Sequence, residues 1–234
     1  AEKASELLKK IQKDRARLQR AHASGDQETE ITVQNQLLSS EMVYWQNRTL
    51  EQKHMLKSDL NTGVKVFLRG VDQAAEEFGH EYRATLFKEI KPYLSQLSKS
   101  QKYEHDIRVA QFNFDQGNYQ EAHNLLKKLL AAATHTSHRQ IRLLVQIGNT
   151  LIRMGEAQIA LEHFQRALEI STHKNIKKFL GLLHNELGWT NRLLGNWNDA
   201  IRHYELAQNF AQEFGQQSDI ADILNNIGFV YHLK

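Results

Sequence analysis

Residues 188–207, GWTNRLLGNWNDAIRHYELA, follow the pattern of residues 148–167, GNTLIRMGEAQIALEHFQRA. Six positions carry the same or a similar residue at an interval of 40, which is 188 − 148. The matched pairs are Gly148/Gly188, Gly155/Gly195, Ala160/Ala200, His163/His203, Phe164/Tyr204 and Ala167/Ala207. A pattern that returns at a fixed interval predicts a repeat architecture, in which each unit buries its apolar face against its neighbours.

Each unit is predicted to be a helix, a tight turn and a second helix. Gly117, Gly155 and Gly195 lie at short turns between amphipathic stretches, where glycine supplies the left-handed conformation. Gly148 and Gly188 fall inside the first helices, where glycine is about 1 kcal/mol less favourable than alanine, so we expect a close helix contact there. The alanine–aromatic–alanine stripe of the second helix is expected to pack against the neighbouring unit.

The composition favours an all-α protein without cysteine chemistry. The 234-residue chain has one proline, no cysteine and a formal net charge of +3. Good helix formers are abundant, and the missing cysteines exclude disulfides and thiolate metal sites. The densest basic stretch, Lys9–Arg20, is interpreted as a solvated helix face, and the low net charge speaks against nucleic acid as a partner. A nucleic-acid binder that uses Lys9, Lys10 and Lys13 is kept as a minor alternative.

The residues of the repeat resemble the tetratricopeptide repeat. The family pattern runs from an apolar residue and a glycine, through a turn glycine, to an alanine, an aromatic residue and a second alanine. Two units match this pattern. The residues are Leu144, Ile147, Gly148, Leu151, Gly155, Ala160, Phe164 and Ala167 in one, and Leu187, Gly188, Gly195, Trp197, Ala200, Tyr204 and Ala207 in the other. A degenerate unit precedes them, and the start of another, with Leu224, Ile227, Gly228 and Tyr231, follows. The period of 40 exceeds the usual value of about 34, as in kinesin light chain-like adaptors and bacterial signalling arrays. The extra residues, such as Asn175–Leu180, are expected to lengthen the helices.

The resemblance implies an α-α superhelix, a tetratricopeptide repeat solenoid, preceded by a non-repeating or degenerate helical segment. We expect a helical region over residues 1–98 and an array over 99–234, with units near 103–140, 141–180, 181–220 and a truncated unit 221–234. Within the first region, residues 27–60 are predicted to form one long helix with Leu38 and Met42 on its apolar stripe, broken at Asn61–Gly63. Pro92 should kink or restart its helix.

No constellation of residues typical of an enzyme is found. The sequence has no nucleophile elbow, no phosphate-binding glycine loop and no HExxH zinc motif. His135 and His138 lie close together, but no acidic residue or cysteine is near enough to complete a metal site. We therefore expect no catalytic, cofactor-binding or metal-binding residues, and no cofactor.

The resemblance also implies where a partner would bind. In the family the first helices line a concave groove, and the matching positions form a peptide-binding groove here: Arg108, Gln111, Arg142, Gln146, Asn149, Arg153, Asn185, Trp189, Arg192, Asn226 and Phe229. Glu186 shares this face. Amide side chains can bond an extended backbone and arginine suits carboxylates, so an acidic peptide is expected. For Asn185 and Asn225 the alternative is that they only bond the neighbouring unit.

These features predict a scaffold that binds a peptide or protein segment in the groove, as a fragment of a larger protein. The alternative is a regulatory or sensor segment of a multidomain bacterial signalling protein, such as an NTPase, protease or transcription regulator. We also expect self-association through the N-terminal helices or the uncapped C-terminal helix. No apolar run approaches the roughly 20 residues that span a bilayer, and a cytoplasmic location is expected.

Overall fold

The computed structural model describes residues 2–77, 80–132, 136–213 and 217–233. These residues form α-helices and two short 3₁₀ turns, Lys91–Gln96 and Lys177–Phe179, and no strand occurs among them. The helices are α1 (Glu2–Ser24), α2 (Gln27–Ser58), α3 (Leu60–Glu77), α4 (His80–Ile90), α5 (Lys99–Asp115), α6 (Tyr119–Ala131), α7 (Ser137–Arg153), α8 (Ala157–His173), α9 (Leu180–Leu193), α10 (Trp197–Glu213) and α11 (Gln217–Leu233). The all-α prediction is confirmed.

The chain divides into two compact units, Ala1–His105 and Asp106–Lys234. In the first, α1 packs on α2, α2 on α3 and α3 on α4. Its core is built around the buried side chains of Ile11, Phe67, Leu86 and Ile90. Pro92 lies in the 3₁₀ turn that follows α4, where the missing N–H of proline interrupts no α-helical hydrogen bond.

The predicted break at Asn61–Gly63 is wrong, because these residues belong to α3 and the chain breaks at Asp59. The Asp59 carboxylate accepts hydrogen bonds from the backbone N–H groups of Asn61 and Thr62, which satisfies donors that a helix start leaves free. Gly63 has a packing role instead: a Cβ on it would lie 2.7 Å from the backbone of Leu56. The glycine therefore allows α3 to approach α2 closely.

The predicted apolar stripe of α2 is also wrong for Leu38 and Met42, which are each 57% exposed. The helix buries Val33, Leu37 and Tyr44 instead. Apolar residues occur on more than one face of α2, so spacing alone does not identify the buried one.

The second unit repeats one helical hairpin. The pairs α7/α8 and α9/α10 are each closely packed, and α8 also packs on α9 and α10 on α11. The turn glycines Gly117, Gly155 and Gly195 have φ values of 78°, 83° and 77°. After each of them, the next N–H bonds the carbonyl five residues back, as from Glu156 to Leu151 at 2.9 Å. These are Schellman closures, and they end the first helix of each unit in the same way.

The glycines inside the first helices lie under the aromatic rings of the second helices. A Cβ on Gly148 would lie 2.5 Å from the Phe164 ring, and one on Gly188 would lie 2.7 Å from the Tyr204 ring. Both rings are fully buried. The close helix contact expected at these glycines is therefore present. The aromatic rings make it within a unit, between its own two helices, whereas the sequence analysis expected these rings to pack against the neighbouring unit.

Residues 175–179, expected to lengthen the helices, do not do so, and for them the expectation is wrong. The second helix α8 ends at His173, and Asn175 adopts a left-handed conformation with φ 53°. The N–H of Ile176 bonds the carbonyl of Ser171 at 2.8 Å, and a 3₁₀ turn leads into α9. Asparagine tolerates the left-handed region, so the extra residues form a structured connection between units.

Candidate functional site

An exposed cluster of two aromatic rings and an arginine lies on α9 and α11. The guanidinium carbon of Arg192 lies 4.2 Å from the centroid of the Trp189 ring and 4.6 Å from that of the Phe229 ring. Trp189 and Arg192 are three residues apart on α9 and so share a face. Trp189 is 38% exposed and Phe229 is 48% exposed. A cation between two ring faces is attracted by the quadrupoles of both rings, so the two contacts favour this position of Arg192.

The polar groups beneath this cluster are not fully satisfied. The Nε of Arg192 and the hydroxyl of Tyr204 are buried, and neither has a hydrogen-bond partner. Burial raises the pKa of Tyr204 to about 12, so its hydroxyl stays neutral at physiological pH. Arg192 has further N–H donors besides this buried Nε, and its planar fork suits a carboxylate.

Glu186 lies on the same face of α9, on the side that faces α7. Its side chain is half-buried, burial raises the pKa of its carboxyl, and the Asn149 amide on α7 donates a hydrogen bond to it, which opposes that rise. At about 100° per residue, Glu186 and Arg192 lie about 60° to either side of Trp189. The face thus carries an acid towards α7, a ring in the middle and a base towards α11.

A second polar contact joins α5 and α7. The Gln146 amide donates to Oε1 of Gln111 at 3.4 Å, while its own buried Oε1 has no partner. A cavity of about 120 Å³ opens here, lined by Ala110, Gln111, Phe114, Leu126, Gln146, Asn149 and Thr150. Gln111–Gln146 and Asn149–Glu186 follow one rule: a first-helix side chain of one unit bonds the first helix of the next.

The other residues predicted to line the groove are not joined to these contacts. Arg142 and Arg153 are exposed towards opposite ends of α7, and neither makes a described hydrogen bond or ion pair. Asn185 lines a separate cavity that Ala207 and Ile223 also line, and its buried Oδ1 has no partner. Arg108 and Asn226 are half-buried.

A histidine pair was missed by the sequence reasoning, which noted His203 only as a repeated position and did not single out His184. The Nδ1 atoms of His184 and His203 lie 3.0 Å apart, so one ring donates and the other accepts. Burial, with a smaller contribution from His203, lowers the pKa of His184 to about 4, and burial also lowers the pKa of His203. The return of histidine at positions 123, 163 and 203 was the signal available in the sequence.

No group of three or more potential metal ligands occurs within the described residues. His138 lies in the first turn of α7 with its ring centroid 5.8 Å from that of Phe179, and His135 lies outside the described residues. No helix in the described part of the chain is long and apolar enough to cross a bilayer.

Comparison with known proteins identifies the repeat. Residues 103–173 match the family model described as tetratricopeptide repeat. No curated protein matches the chain.

Several solved structures share the fold at low sequence identity. A signal transduction ATPase with numerous domains from Pyrococcus horikoshii, which has a tetratricopeptide repeat sensor, is 16% identical with a TM-score of 0.69 over 86% of this chain and 31% of that one. The apo form of RapI is 18% identical with a TM-score of 0.64 over 71% of this chain and 62% of that one. Bacillus thuringiensis PlcR, crystallised with the peptide PapR7 and DNA, is 15% identical with a TM-score of 0.54 over 85% of this chain and 83% of that one.

The chain therefore spans about a third of the Pyrococcus protein and 62% of RapI. At these identities the likeness concerns the fold. Residues 103–173 therefore form tetratricopeptide repeats, and the hairpins that follow them continue the same fold with the same turn glycine.

Proposed function

We propose that this protein binds an extended segment of a partner protein on the groove face, the surface of the first helices α5, α7, α9 and α11. The observation that carries the proposal is the exposed cluster of Trp189, Arg192 and Phe229. Aromatic residues and arginine are the side chains that most often dominate binding energy at protein interfaces. Here they are positioned before any partner arrives, which lowers the entropy lost on binding.

The amide side chains of this face support a peptide as the ligand. Gln146 and Asn185 each line a cavity, and an amide group can both donate to and accept from an extended backbone. Arg192 can donate to a carboxylate, which supports a partner with an acidic residue. The fold neighbour PlcR was crystallised with a peptide, so this architecture can accommodate one.

The proposal is tested with a synthetic library of random heptapeptides. The wild-type protein and the Arg192→Glu variant are screened in parallel, with Arg166→Glu as the matched control, because Arg166 is exposed on the second helix α8. We expect the wild type and the control to enrich the same peptides, and Arg192→Glu to lose at least about tenfold in affinity for them. Equal binding by all three proteins would refute the assignment of the face.

The family register places a second arginine, Arg153, on the groove face. It is exposed and lies outside the aromatic cluster. Charge reversal of Arg153 is therefore expected to weaken binding less than reversal of Arg192, since a solvent-exposed charge contributes little to affinity.

A second candidate is a regulatory or sensor segment of a larger signalling protein. The supporting observation is the likeness in fold to the Pyrococcus ATPase, whose tetratricopeptide repeats are described as a sensor. The complete reading frame of the gene tests this candidate: an effector domain on the same chain would support it, and a frame that encodes only the repeat region would contradict it.

A further inference from the structure

Glu186 departs from the pattern of the array at its place on the groove face. The residue 40 positions earlier is Gln146 and the residue 40 positions later is Asn226, so the neighbouring units carry amides where α9 carries a carboxyl. Gln146 makes the contact to α5, and Glu186 makes the corresponding contact to α7 through Asn149. An amide is therefore sufficient for the contact between units at this position.

The carboxyl group of Glu186 is unfavourable for the fold taken alone. Its side chain is half-buried, the Asn149 amide is its described hydrogen-bond donor, and no described lysine or arginine forms an ion pair with it. Withdrawing a carboxylate from water without a cation costs free energy, which burial of a neutral amide of the same shape avoids. A cationic group that reaches Glu186 from outside would offset this cost, and its attraction is stronger there than on an open surface.

The position of Glu186 relative to the aromatic cluster gives the partner a polarity. Glu186 lies on the α7 side of Trp189 and Arg192 lies on the α11 side, against Phe229. We propose that the partner segment is dipolar, with a basic group against Glu186, an apolar residue over Trp189 and an acidic group against Arg192. This inference rests on the proposed function and adds a basic group, where the sequence alone suggested only an acidic partner.

The arrangement also orients the partner. Its basic end lies towards α7 and its acidic end towards α11, so a segment with the two charges exchanged meets like charges at both places and is rejected. The basic group is a lysine or arginine side chain or a free N-terminal ammonium, since each offers the same charge to the carboxylate.

The test uses two random heptapeptide libraries, one with acetylated and one with free N-termini. The wild type, Glu186→Gln and the matched control Glu169→Gln, an exposed glutamate on α8, are screened against both. The wild type and the control are expected to enrich peptides with a basic group and an acidic residue, and Glu186→Gln is expected to retain only the acidic preference. Enrichment confined to the free library would identify the N-terminus as the cation, and enrichment in both would identify a side chain.

A thermodynamic cycle then measures directly the interaction between Glu186 and the basic group of the peptide. An enriched peptide is resynthesised with norleucine in place of its basic residue, or with an acetylated N-terminus if that is the cation, and binding is followed by fluorescence anisotropy. The change should weaken binding to the wild type about tenfold and binding to Glu186→Gln less than twofold. Similar losses in both proteins would overturn the dipolar partner while leaving the groove function intact. If no peptide is enriched by the wild type in either library, both the proposed function and this inference fail.

Discussion

Replacing Gly148 by alanine tests the central packing contact of the repeat. The new methyl group would lie 2.5 Å from Cε1 and Cζ of the Phe164 ring, which is fully buried. The ring has to move or the two helices have to separate, and such overpacking destabilises a core by about 1–3 kcal/mol. Alanine returns up to about 1 kcal/mol of helix propensity. Because a contact this short belongs in the upper half of that range of costs, we expect the free energy of unfolding to fall by about 1–2 kcal/mol.

The array contains its own control for this substitution. Gly228 occupies the corresponding place in α11, and a Cβ on it would meet nothing within 4 Å in the described structure. Gly228→Ala should therefore gain helix propensity without a clash and stabilise the protein by up to about 1 kcal/mol. The two glycines share sequence context but differ in what lies above them, so the contrast isolates the ring contact.

The assay is urea denaturation followed by circular dichroism, with thermal unfolding as a second measure. For a chain of this size, the loss at Gly148 corresponds to a fall of about 2–8 °C in Tm. Adding Phe164→Leu should reduce the cost of Gly148→Ala, because the smaller side chain leaves room for the methyl group. If Gly148→Ala and Gly228→Ala change stability in the same direction and by the same amount, the close-contact explanation is refuted.

Three further predictions follow from individual side chains. Because the pKa values of His184 and His203 are lowered, stability should be full above pH 6.5 and decline as the pH falls towards 4. In urea titrations over this range, the free energy of unfolding of the wild type should fall by about 1–2 kcal/mol relative to that of a His184→Gln variant. A difference between the two proteins that does not change with pH would contradict the buried pair. Gly155→Ala should lower the unfolding free energy by about 1 kcal/mol, since φ is 83° there and alanine is strained in the left-handed region; no change would show that the turn can relax. Glu186→Gln should leave the free energy of unfolding at pH 7 unchanged or raise it by up to about 1 kcal/mol. A fall in Tm would mean that the charge stabilises the fold.

The repeat could be predicted from the sequence because its glycines and alanines are required by local geometry. A left-handed turn at Gly155 requires a residue that tolerates positive φ, and the ring of Phe164 requires a residue without a side chain at Gly148. The turn glycine returns in three units and the glycine under an aromatic ring in two, so together they leave a periodic signal. The first region has no such period, and there Gly63 was taken for a helix breaker although it serves the approach of α3 to α2.

The candidate site could be predicted only in part. The family register placed Trp189, Arg192 and Phe229 among the residues of one surface, but the guanidinium between two rings depends on the spacing of α9 and α11, which the sequence does not contain. The same register included Arg142 and Arg153, which the structure leaves apart from the cluster. The burial of Glu186 likewise depends on how α7 lies beside α9. The role of all these residues in binding stays a prediction.

Some of the side chains that join the units are also side chains for which we propose contact with a partner. Successive first helices are bridged by two pairs of side chains, Gln111 with Gln146 and Asn149 with Glu186. A ligand that replaces one of these hydrogen bonds with its own therefore breaks a contact between two units. Binding and the elastic stiffness of the array are then linked, and by thermodynamic reciprocity a force that opens the units would change the affinity for the ligand.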